Sequence, residues 1–228
     1  MRYLEVSKKD HLAYVSMDHE HKNAFNTALV QECLDMLHTL AEDEETRVVI
    51  WSGRHPKYFC TGLDVPWALE QEDDALEQFF TLSHQLLHTI FMYPKPTIAH
   101  LNGHAFGLGA IMSCAFDFRF MNAHRGWICF PGVDIGKMGV SVPSSMHKLV
   151  AFTMPTHHLH YALLTGARMT GQEAQSKGLV HQALPPKELE GAIETLANTL
   201  KEKDQASYFR VKQDLRGELA HILQHPSR

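Results

Sequence analysis

Cysteine is sparse and unpaired in this sequence: Cys33, Cys60, Cys114 and Cys129 form no CxxC pattern. Their spacing excludes a zinc ribbon and a disulfide framework and suits reduced thiols in a cytoplasmic compartment. No apolar run approaches the ~20 residues of a membrane-spanning helix, so no membrane association is expected. The opening stretch MRYLEVSKKD alternates like a strand and lacks the charged, apolar and small-residue regions of a secretory leader. Basic charge is not in excess either. The formal net charge of −5 offers no field for DNA or RNA, so a polyanionic ligand must meet a local basic group. Two histidine groups, His84 with His88 and the cluster His157, His158 and His160, lack the glutamate of HExxH and a third ligand. Both are expected to be solvated helix surface, with no metal.

What is present is enough apolar material, 44% of 228 residues, for one sizeable core, and the expectation is a single domain over residues 1–228. Residues 2–6 and 11–17 alternate like paired strands around a turn at Ser7–Asp10. Leu29, Leu34, Leu37 and Leu40 mark one side of a helix from about Thr27 to Asp43, and Arg47–Trp51 reads as a buried strand. A glycine-bearing loop runs from Gly53 to Asp64, and a helix follows that ends before Pro94-Lys95-Pro96. Then come a strand at Thr97–Leu101, a helix from about Gly107 to Ala115, and strands around Phe116–Met121 and Trp127–Phe130. From Pro143 the pattern is mostly helical. Strands separated by helix-length segments imply right-handed crossovers in an α/β fold.

Two turns rich in small residues follow predicted strands: Phe59-Cys60-Thr61-Gly62-Leu63-Asp64 and Asn102-Gly103-His104-Ala105-Phe106-Gly107-Leu108-Gly109-Ala110. Small residues let backbone amides approach a ligand closely, and the amides at Gly107–Gly109 open a helix whose unpaired N–H groups favour negative charge.

The run Lys95-Pro96-Thr97-Ile98-Ala99-His100-Leu101-Asn102-Gly103-His104-Ala105-Phe106-Gly107-Leu108-Gly109 resembles the crotonase (enoyl-CoA hydratase/isomerase) superfamily signature KPxIAxxNGxAxGxG. Phe59–Asp64 resembles the earlier FxxGxD element of that family. His21-Lys22-Asn23-Ala24-Phe25-Asn26 is similar to its basic-NAxN segment at the CoA-binding edge, and Leu164–Ala174 with Gly178-Leu179-Val180 to its LTGxxxxAxEAxxxGLV region. The resemblance covers roughly residues 1–215. It implies a crotonase-like spiral of β-β-α units over about 1–185, C-terminal helices over about 186–228, and a homotrimer or dimer of trimers. It further implies an acyl-CoA thioester as partner, with coenzyme A entering only as part of the substrate. The backbone amides of Leu63 and Leu108 become the oxyanion-hole donors, which stabilise the enolate oxygen formed when a proton leaves the carbon next to the thioester. Lys22 becomes the phosphate contact and the Cys60–Asp64 turn the adenine-side loop. Ala24, Cys60, Gly62, Asp64, Gly107, Ile111 and Gly132 complete the implied substrate-binding set.

The chain departs from the family at the proton-transfer positions. Hydratases of this family use two glutamates, and the first matches Ile111 here, which cannot carry a proton. Isomerases keep only the second, and Phe130-Pro131-Gly132-Val133-Asp134-Ile135-Gly136 resembles their segment, yet Gly132 stands at the glutamate position. Asp134 is the nearest carboxylate, and strand alternation puts it on the same face as Gly132. Asp64, Glu70, Glu72 and His104 border the site in the family, with His104 expected to pack and Glu70–Asp74 to start a helix. The expectation is double-bond isomerisation through a thioester enolate. An acyl-CoA-holding pseudoenzyme, or a decarboxylation or hydrolysis with a different base, are the alternatives.

Overall fold

A computed structural model describes residues 2–20, 22–136 and 141–225. His21, the first residue of the basic-NAxN segment, lies outside them. Strand β1 (Leu4–Lys9) pairs antiparallel with β2 (Leu12–Met17), Lys9 opposite Leu12. The turn is therefore Asp10-His11 and not Ser7–Asp10. Both residues have positive φ, 50° and 66°, the requirement of a tight primed turn whose twist matches that of the strands.

Helix α1 (Thr27–Glu42) begins where the Asn26 side chain accepts from the Leu29 amide, and it buries Leu29, Leu34, Leu37 and Leu40 as the periodicity predicts. The chain then winds as a coil. Each turn lays one strand in a six-stranded sheet and the next in a three-stranded sheet: β3 (Val48–Gly53) then β4 (Tyr58–Cys60), β5 (Thr97–Leu101) then β6 (His104–Phe106), β7 (Phe118–Asn122) then β8 (Ile128–Cys129). The orders are β1-β2-β3-β5-β7-β9 and β4-β6-β8, parallel except for the first pair, with β9 (Gln182–Leu184) closing the larger sheet. Short α2 (Val65–Ala68) and long α3 (Asp73–Phe91) fill the first coil, and α4 (Leu108–Ala115) the second. The architecture is the α/β spiral of β-β-α units that the motifs imply, followed by α5 (Gly132–Ile135), α6 (Ser144–Ala151), α7 (Thr156–Thr165), α8 (Gly171–Ser176), α9 (Pro186–Lys201) and α10 (Gln205–Gln224).

β3 reads as an unbroken apolar run because both of its faces are covered. Val49 and Trp51 join the main core, while Val48 and Ile50 meet Ile193, Ala197 and Leu200 of α9 on the outer face. Ile193, Leu196 and Leu200 therefore pack on their own sheet. Helix α10 is fixed by buried Asp117, whose carboxylate takes Lys212 at 2.8 Å, Arg216 at 2.9 Å, the Tyr208 hydroxyl at 3.0 Å and the Thr97 amide at 2.8 Å.

Candidate active site

β4 and β6 are neighbours in the small sheet, so the two glycine turns leave it side by side. A Cβ placed on Gly62 would stand 2.8 Å from the Phe106 carbonyl oxygen and 2.9 Å from the Leu108 amide nitrogen, and Gly62 has φ +85°. Only glycine permits both the approach and the left-handed backbone. Gly109 is pressed against Cys60 in the same way, where a Cβ would meet the Cys60 carbonyl at 2.5 Å.

The first turn is held from below. Buried Asn23 accepts from the His19 amide at 2.8 Å and donates to the Phe59 carbonyl at 3.0 Å, and both Lys22 and Asn23 adopt left-handed φ. Phe25 donates to the Gly62 carbonyl at 2.6 Å and accepts from the Asp64 amide at 2.9 Å. In such a parallel bridge the residue between, Leu63, turns its own N–H to the opposite side. Leu108 opens α4, where the first amides lack helical partners. Among the described residues, neither the Leu63 nor the Leu108 amide donates to a protein acceptor.

Both leucines line a cavity of about 580 Å³, walled by Val65, Phe79, Phe80, Phe130, Met146 and Val150 among other apolar groups. Of the sequence-derived residues, Leu63, Gly107, Leu108, Ile111 and Gly132 are brought together there, and Thr61 joins them. Cys60 is close but turned inward. It is fully buried, its thiol donates to the Asn23 carbonyl at 3.0 Å, and burial pushes its pKa up to about 12. Asp64 is spent as the cap of α2, accepting from the Trp67 amide at 3.2 Å. Ala24 is buried and Lys22 exposed, and neither lines the cavity; the Lys22 carbonyl accepts from the Thr61 hydroxyl at 3.4 Å, and its ammonium lies 5.7 Å from the Tyr58 ring centroid.

Gly132 to Ile135 form a helical turn, so the strand alternation that aligned Asp134 with Gly132 does not apply. Asp134 is exposed and faces Gly166, where a Cβ would stand 2.7 Å from its Oδ2. Among the described residues it does not line the cavity, and neither do Glu70, Glu72 and His104. His104 packs, as expected, between Tyr58, Phe106 and Trp127 with ring centroids 5.0 to 5.5 Å away. Burial and the nearby Lys57 and Arg168 cations lower its pKa.

The histidine pair on α3 requires a correction. His84 is buried and not solvated. Its Nδ1 donates to the Phe80 carbonyl at 2.9 Å, leaving Nε2 to share a 3.0 Å bond with the Ser145 hydroxyl of α6. His157 and His160 are exposed, as expected, while His158 is half-buried.

One group in the cavity carries no signal in the sequence. His147, on α6, is the only described lining residue whose side chain titrates near neutrality. A Cβ on Gly132 would lie 3.7 Å from its Nε2, and burial lowers its pKa. It follows no motif, and only the packing of α6 over the cavity reveals it.

The profile of the enoyl-CoA hydratase/isomerase family matches residues 7–226. Enoyl-CoA delta isomerase 3 of Arabidopsis thaliana is 27% identical over 182 residues, 78% of this chain and 75% of that protein. Hydroxycinnamoyl-CoA hydratase-lyase of Pseudomonas fluorescens is 28% identical over 211 residues, 88% of this chain and 73% of that one. An enoyl-CoA hydratase of Mycobacterium ulcerans superposes with a TM-score of 0.88 at 19% identity, covering 98% of this chain and 96% of its own.

Proposed function

The chain belongs to the enoyl-CoA hydratase/isomerase family, and from that premise we propose that it binds an acyl-CoA thioester and moves a double bond through a thioester enolate. The observation that carries this reading is the apposition of the two glycine turns, with the Leu63 and Leu108 amides bordering one apolar cavity. Two donors fixed by backbone act on charge that is larger in the transition state than in the substrate, and they need no reorganisation when that charge develops. The apolar volume suits an acyl chain, each buried methylene contributing about 0.8 kcal/mol. Lys22 meets a CoA phosphate as a point charge, and the backbone of Cys60, Gly62 and Asp64 borders the adenine. Assembly as a trimer or paired trimers, and a cytoplasmic setting, go with the same reading.

Hydration by a carboxylate pair is disfavoured because Ile111 and Gly132 bring no acid into the cavity. Isomerisation asks less, since a single group serves as acceptor and donor of one proton. The lack of a carboxylate among the described lining residues also supports a second reading, a protein that holds acyl-CoA without turning it over. A paired assay separates them: conversion of a 3-enoyl-CoA to the conjugated 2-enoyl-CoA, hydration of a 2-enoyl-CoA, and calorimetric binding of both. Conjugation without hydration supports isomerisation, and tight binding without turnover supports the holding protein.

A further inference from the structure

The geometry points to His147 as the catalytic base and acid of the cavity, carrying one proton between two carbons of the acyl chain. This assignment rests on the thioester-enolate reading above and names the group that reading leaves open.

Three observations carry it. Among the described residues the cavity walls are apolar apart from Thr61, Ser141 and His147, and of these only the imidazole exchanges a proton near neutrality. Its Nε2 lies 3.7 Å from where a Cβ on Gly132 would stand, with Val142 Cγ2 at 3.4 Å, so the imidazole stands beside the position where the resembling isomerases carry their glutamate. The helix that carries the ring is also positioned. Ser145, two residues earlier on the same helix, is bonded to buried His84 of α3, which ties α6 to α3. Burial alone favours the neutral imidazole, the form that can accept a proton. Among the described residues no charge contributes, whether Lys148 on its own helix, Asp134 on α5, Cys114 on α4, His158 on α7 or Arg216 on α10.

In a 3-enoyl thioester, Nε2 takes a proton from C2. The C2–H pair becomes the C1–C2 double bond, and the carbonyl π pair moves to the oxygen held by the Leu63 and Leu108 amides. The imidazolium then returns the proton to C4, where the C3–C4 π pair forms the new C–H bond, as the C1–C2 pair shifts to C2–C3 and the oxygen pair re-forms the carbonyl. One proton leaves and one arrives, and no oxidant, water or metal is consumed.

The test compares wild type with His147→Gln and His147→Asn, each checked for native circular dichroism. The readouts are calorimetric binding of a saturated acyl-CoA, exchange of its C2 protons in D2O by NMR, and 3-enoyl-CoA isomerisation against pH. The expected result is binding within about threefold of wild type, with exchange and isomerisation falling together by about 100-fold or more. The acid limb of the wild-type profile should lie below the ordinary histidine value and vanish from the residual rate of the variants. Variants that isomerise within about threefold of wild type overturn the assignment and leave the enolate reading standing. Collapse on Asp134→Asn with His147→Gln still active transfers the proton to the carboxylate and also overturns it. A wild type that binds acyl-CoA yet neither exchanges nor isomerises refutes the enolate reading, and the role of His147 with it.

Discussion

Gly62→Ala is the sharpest perturbation available, because it strikes the contact between the two turns and nothing else. The new methyl would sit 2.8 Å from the Phe106 carbonyl oxygen and 2.9 Å from the Leu108 nitrogen, both backbone atoms that have no rotamer to escape into. Relief to ordinary van der Waals contact requires the turns to part by roughly half an ångström. In addition, φ +85° at Gly62 costs an L-residue about 1–2 kcal/mol. With the displaced backbone, the total is on the order of 2–4 kcal/mol, or a fall in Tm of about 5–15 °C for a domain of this size. The catalytic consequence is separable. Parting the turns shifts the Leu108 amide relative to that of Leu63, and loss of one such donor lowers kcat by roughly 100- to 1,000-fold while KM changes little. The assay is 3-enoyl-CoA conjugation followed by ultraviolet absorbance well below the variant's Tm, with folded fraction measured by circular dichroism. A variant whose Tm has dropped but whose kcat per folded molecule stays within about twofold of wild type would refute the claim that the apposed amides act on the reaction.

Three further outcomes follow from the same structure. Gly191→Ala, at an exposed position of α9 where a Cβ meets nothing within 4 Å, should raise Tm by roughly 1–4 °C in a thermal melt and leave kinetics unchanged. Asp117→Asn leaves the buried Lys212 and half-buried Arg216 cations without their counter-charge and should cost about 3–5 kcal/mol, read as a shift of the urea midpoint at constant m. His100 is held down to about 4 by burial. Between pH 6.5 and 4 the unfolded chain therefore binds a proton that the folded chain refuses, so stability falls as pH is lowered. The contribution of His100 should reach ~1–2 kcal/mol by pH 5, so the fall in urea midpoint between pH 6.5 and 5 should be smaller by that amount in His100→Phe than in wild type, the remainder belonging to His181, which burial also holds down to about 4.

Periodic elements were legible in the sequence because their signal is local. The leucine spacing of α1, the proline stop after α3 and the apolar run of β3 each follow from residues within a few positions of one another. The three-residue strands β4, β6 and β9 are not legible, since they are too short for alternation and exist only by pairing with distant chain. Gly132–Ile135 misleads for a related reason. Its sequence permits extension, and the helical turn after Pro131 is set by packing. Within the candidate site, the glycine turns are readable because they demand a residue type, whereas His84 and His147 gain their roles only when α3 and α6 meet. A histidine on an amphipathic helix looks the same whether it faces solvent or a cavity.

The two apposed amides belong to successive windings of the coil, Leu63 after β4 and Leu108 after β6. Their separation is therefore a thread pitch, set by strand spacing in the small sheet. Side chains can be exchanged freely along the groove without retuning that gauge, whereas the proton carrier rides on a separate helix outside the thread. On the enolate reading proposed above, a scaffold of this kind lets one grip be matched with different reagents, so that a chemistry can be swapped by resetting one helix while the pair of amides stays fixed.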